Sequence, residues 1–81
     1  MTLSQLHRGT RVRVPWGAAT MGKSHSQGDG YVHGTVTDAQ VLSRGQAVVT
    51  LTVTVPGERV ARDLTLHASG GTAAEFDLLP A

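Results

Sequence analysis

Gly17, Gly22, Lys23 and Ser24 stand in the stretch GAATMGKS, residues 17–24, with the spacing of a phosphate-binding loop: glycine, four residues, glycine, lysine, serine. In such a loop backbone N–H groups cradle phosphate oxygens, the lysine neutralises them and the serine hydroxyl holds magnesium. The motif works only between a buried strand and a helix whose first N–H groups face the phosphates. Here the following residues are HSQGDGYVHG, and three glycines in that span make a poor helix. The preceding RVRVPW alternates arginine with valine, the pattern of a half-exposed strand and not of a buried parallel one. No later apolar run ends in an aspartate placed for magnesium. A chain of 81 residues also lacks room for several βαβ units of about 30 residues each. Nucleotide hydrolysis is therefore not expected, and no cofactor is implied. What the spacing leaves is an anion-binding loop at Gly17, Gly22, Lys23 and Ser24.

Other reactive side chains are sparser still. His7, His25, His33 and His67 show neither the HxH nor the HxxxH spacing of a preformed metal site, and there is no cysteine to help them. Ser24, His25, Ser26, Asp29 and His33 include the residue types of a hydrolase triad. A glycine-rich loop, however, does not hold a nucleophile and its base at about 3 Å. Glu58 and Asp63 read as a charged rim. No catalytic set and no metal site are expected, so the chain is read as non-enzymatic. The set with the most geometric content is Arg11 and Arg13 on one strand face, with Tyr31 and His33 on one face of the next strand. If these strands pair, cations and rings gather as they do on surfaces that stack bases and hold phosphates, with Lys23 nearby.

The elements that must position these groups are strands. TRVRVPW sends Arg11 and Arg13 to one side and Val12 and Val14 to the other, with Trp16 matched in parity to the valines. YVHGTVTDAQV places Val32, Gly34 and Val36 opposite Tyr31, His33, Thr35 and Thr37. AVVTLTVTV is the clearest: Val49, Leu51, Val53 and Val55 face a core, and Thr50, Thr52 and Thr54 form an uncharged outer face. RVARDLTLHA continues with Val60, Leu64 and Leu66 inward, and Arg62 marks a strand start or a bulge. SRGQ and PGE carry turn chemistry, which joins the strands as an antiparallel meander. TLSQ and TAAE both fit a capping box and predict one helical turn each, the first stopped by Gly9. FDLLP reads as a closing strand. Residues 17–30 lack alternation and form a long loop, a place where function concentrates.

Composition sets further bounds. The length allows a single domain over residues 1–81, with a narrow stability margin that self-association would widen. The net charge is +1, too small for a strong global field. Its distribution is uneven: up to Thr35, Arg8, Arg11, Arg13 and Lys23 face only Asp29. The apolar runs are too short to span a bilayer or to serve as a secretory signal, and cysteine is absent. The expectation is a cytoplasmic protein with no membrane partner.

The order of these elements, from RVRVPW through a long loop, YVHGTV, AVVTLTVTV, a tight PGE turn and RVARDLTL to TAAEF and DLLP, resembles the SH3-like small barrel. That resemblance implies an all-β, five-stranded antiparallel barrel with a long first loop and one short helical turn near the C-terminus. The GTRVR start, residues 9–13, is similar to that of plasmid-type dihydrofolate reductase, but the Val-Gln-Ile-Tyr strand of that enzyme's pore is missing. Small barrels serve many unrelated functions. The leading expectation is a binding module that acts through a protein partner or as a homo-oligomer. The alternative is a nucleic-acid-binding barrel that uses Arg11, Arg13, Lys23, Tyr31 and His33. Phosphate or nucleotide binding at residues 17–24 comes third.

Overall fold

The computed structural model describes residues 1–15, 17 and 30–81. Five strands make one antiparallel sheet: β1 (Arg11–Pro15), β2 (Tyr31–Val41), β3 (Gln46–Thr54), β4 (Arg62–Ser69) and β5 (Leu79–Pro80), ordered β4-β3-β2-β1-β5. The all-β, antiparallel, five-stranded expectation holds. Among the described residues the sheet does not close, and β4 and β5 are its two edges.

Alternation is the cause of the strands. Val12, Val14, Val32, Gly34 and Val36 are buried while Arg11, Arg13, Tyr31 and His33 are exposed. In β3, Ala47, Val49, Leu51 and Val53 are buried; of the three threonines expected outside, Thr50 and Thr52 are half-buried and Thr54 is exposed. Two short segments cover the apolar face of the sheet. One is the 3-10 turn Leu3–Gln5, which brings in Leu3 and Leu6; the other is the stretch carrying Ala74, Phe76 and Leu78. They are tied together by backbone bonds from Leu3 N–H to Ala74 O (2.9 Å) and from Phe76 N–H to Met1 O (2.9 Å).

Several expectations need correction. Val60 is not a core residue: it is 76% exposed, in the link before β4. The strand start expected at Arg62 holds, and the Arg62 guanidinium reaches back to Glu58, with Nε donating to Oε1 at 2.7 Å. A bulge that the sequence did not signal lies in β2: Val36 faces Leu51 and Asp38 faces Thr50, which leaves Thr37 extra, whereas β3 and β4 pair without interruption. This bulge moves the inward positions of β2 from even to odd numbers, so Ala39 rather than Asp38 faces Val49. The first helical turn ends at Leu6, ahead of Gly9. The second is a 3-10 turn over Gly71–Ala73 with Gly70 at its N-cap, two residues earlier than the capping box TAAE suggests, because Gly70 and Gly71 take positive φ there. The closing strand is only Leu79–Pro80. At PGE the expectation holds: Gly57 has φ of 89° and Glu58 N–H donates to Val55 O at 3.0 Å. In SRGQ both Arg44 and Gly45 take positive φ.

Candidate binding face

Register decides which outward side chains meet. Antiparallel pairing sets Arg13 opposite His33, Arg11 opposite Thr35 and Pro15 opposite Tyr31. Directly opposed residues in such a ladder share a face, and diagonal neighbours lie within reach of long side chains. The Arg13 guanidinium accordingly sits over the Tyr31 ring, 5.9 Å from its centroid. Its Nε donates to Pro80 O at 3.1 Å, so β5 helps to aim it. A cation over an exposed ring contributes about 0.5–1 kcal/mol. Neither Arg11 nor Arg13 forms an ion pair among the described residues.

The same face extends across the sheet in rows. Leu79, Arg13, His33 and Thr54 form one row over β5, β1, β2 and β3; Arg11, Thr35, Thr52 and Asp63 form the next over β1 to β4. Between these rows lies a shallow open groove lined by Arg11, His33, Gly34, Thr35, Thr52 and Thr54. The charge runs from cationic at β1 to anionic at β4, where the Asp63 carboxylate accepts from Thr52 Oγ1 at 3.3 Å. The groove offers hydroxyl groups, an imidazole and a guanidinium. Chemically this is a surface for holding a polar or anionic group against a flat apolar or aromatic one.

Four of the five residues read from the sequence as a basic and aromatic face are thus brought together: Arg11, Arg13, Tyr31 and His33. Lys23 lies outside the described residues. So do Gly22 and Ser24 of the anion-binding loop, as well as Trp16, His25, Ser26 and Asp29. Gly17 is described and exposed, and a β-carbon added there would meet none of the described residues within 4 Å. Among the described residues no group of three or more His, Asp or Glu side chains is placed to hold a metal ion. Leu79 is the member of this face that sequence reasoning missed. Its signal was parity: Leu78 is buried, so the next residue of an extended chain must point away from the core.

The second feature is the β4 edge. Its eight residues alternate between half-buried (Arg62, Leu64, Leu66, Ala68) and exposed (Asp63, Thr65, His67, Ser69). One side pairs with β3 over the whole strand, and no described residue pairs with the other. No helix among the described residues is long and apolar enough to cross a membrane.

No protein-family model, curated protein or solved structure matches this chain. The functional reading therefore rests on geometry.

Proposed function

We propose that the protein is a non-enzymatic binding module that engages a protein partner by strand addition at β4. The observation that carries this is the β4 edge: a strand of eight residues with an unpaired side among the described residues and half-exposed leucines at alternate positions. An edge strand presents a row of free N–H and C=O groups, and proteins that leave one long, flat and without proline invite another strand to it. Main-chain bonds would supply affinity, and the strip formed by Leu64 and Leu66 would select side chains of the incoming strand.

Selection from a random-peptide library tests this. The expected outcome is enrichment of peptides that alternate β-branched and polar residues, with binding lost in the Leu66→Lys variant, which places a charge on the strip. Absence of enrichment, or enrichment indifferent to Leu66→Lys, would rule out strand addition.

For the architecture we propose an SH3-like layout in which the sheet stays open at β4. Its support is the strand order β4-β3-β2-β1-β5 and the single 3-10 turn shortly before the last strand. A second reading is single-stranded nucleic-acid binding on the face of Arg11, Arg13, Tyr31 and His33. What favours it is Arg13 over the Tyr31 ring, since stacking rings beside guanidinium groups is how such surfaces hold bases and phosphates.

A further inference from the structure

We propose that the strand added to β4 is β4 of a second copy, antiparallel, about a two-fold axis through Thr65. This inference rests on the reading of β4 as a binding edge and names its occupant. The argument is one of register. A two-fold axis perpendicular to the sheet pairs residues whose numbers have a constant sum, and residues opposed across the ladder must share a face. Only even sums satisfy that condition here; an odd sum would set half-buried Leu64 against exposed His67.

The three even registers centred on the strand differ sharply. Centring on Leu64 opposes Arg62 to Leu66. Centring on Leu66 opposes Leu64 to Ala68 and leaves Asp63 facing Ser69. Centring on Thr65 opposes Leu64 to Leu66 twice and Thr65 to Thr65 once, and it sets the Asp63 carboxylate against the His67 imidazole twice. The central pairs are then matched: leucine meets leucine on the inner face, and an acid meets a nitrogen donor on the outer one. Opposed apolar, threonine and opposite-charge pairs are the units that stabilise sheets. Arg62 falls opposite Ala68, so no like charges meet, and it stays bonded to Glu58. Across β3, His67 lies opposite Val48 and competes for no carboxylate there. The leucines left half-buried at the edge are the side chains that this pairing covers.

The assembly would be one ten-stranded sheet with its two apolar layers continuous. Both Arg11–Arg13 clusters would lie on the same outer side.

The absence of cysteine makes the test direct. Opposed α-carbons in an antiparallel ladder are about 4.5–5.5 Å apart, within the range that a disulfide spans. Thr65→Cys should therefore cross-link to a dimer under mild oxidation, far faster than a control Thr54→Cys. Sedimentation equilibrium should show a dimer of the wild type. Asp63→Lys should weaken it about tenfold, because each imidazole loses its carboxylate acceptor and faces a second donor, and Asp63→Lys with His67→Asp should restore it, with circular dichroism confirming folding. A wild type that stays monomeric at the highest soluble concentration overturns the pairing. So does a dimer in which the Thr65→Cys variant links no faster than the control and the charge exchange restores nothing. If the chain is monomeric but still selects strand peptides at Leu66, the binding-module reading stands and the self-pairing falls; if it does neither, both fall.

Discussion

Gly34 and Gly57 are needed for different reasons. Gly34 pairs with Val12 on one side and Val53 on the other, and a β-carbon there would lie 3.1 Å from a methyl of Val14 and 3.1 Å from a methyl of Val53. It is a matter of space. Gly57 has nothing within 4 Å of such a carbon, but its φ of 89° is one that other residues rarely adopt. Gly34→Ala is expected to destabilise by about 1–3 kcal/mol through overpacking, and Gly57→Ala by about 1–2 kcal/mol through backbone strain. For a domain of this size each kcal/mol lowers Tm by about 4–8 °C, so thermal unfolding of the two variants checks both; an unchanged Tm for Gly34→Ala would show that the valines move aside freely. Alternation in the sequence assigned Gly34 to the inner face, but it gave no hint of how closely the valines approach. That closeness depends on two strands distant in sequence.

At the scale of elements, β1 was legible because nothing interrupts its period of two, and β3 because it keeps that period from Val49 onward, although Ala47 and Val48 are both buried. β2 was legible only as far as Val36, because a bulge leaves no mark when the extra residue is a threonine beside an aspartate, both acceptable on an outer face. The start of β4 at Arg62 was among the readings the sequence offered, but Val60 was misplaced because it looks apolar on its own, although the link that holds it leaves it in solvent. The juxtaposition of Arg11 and Arg13 with Tyr31 and His33 followed from parity and antiparallel pairing alone. The place of Leu79 beside Arg13 did not, since it depends on β5 returning to β1. A prediction belongs to this β1–β2 face. If it holds nucleic acid, changing Arg11 and Arg13 together to alanine should weaken binding of a short single-stranded oligonucleotide and flatten the slope of log K against log salt by about 0.7 for each lost phosphate contact. Titration at two or more salt concentrations measures both. An unchanged slope would leave these arginines as solvated groups on a sheet whose contacts are with protein.

Taken as a whole, the protein lives on a thin margin. A chain of 81 residues is stabilised by about 0.05–0.15 kcal/mol per residue, or about 4–12 kcal/mol in all. Its core is mostly valine, leucine and alanine, with Phe76 the largest side chain among the buried ones and only 6% exposed. Phe76→Ala is expected to remove about 3–5 kcal/mol. Far-UV circular dichroism should then show a protein partly or wholly unfolded at 37 °C; a fully folded variant would mean that the segment over the sheet contributes little. The β2-β3-β4 meander could be read from its turns, whereas the covering role of Leu3, Leu6, Ala74, Phe76 and Leu78 could not. Those residues make contacts from opposite ends of the described chain, and local pattern carries no record of such partners.

The covering of the sheet by residues 1–6 and 74–78, with β5 closing on β1, has a consequence for biosynthesis. A ribosome delivers residues 1–6 and the meander first, and the part of the apolar face that residues 74–78 cover stays bare until they emerge. From residue 69, where β4 ends, to residue 80 this takes about 0.5–2 s at about 5–20 residues per second. For that interval the nascent chain exposes a greasy surface with an incomplete lid, and a holding chaperone or a neighbouring nascent chain can reach it before its own C-terminal segment does.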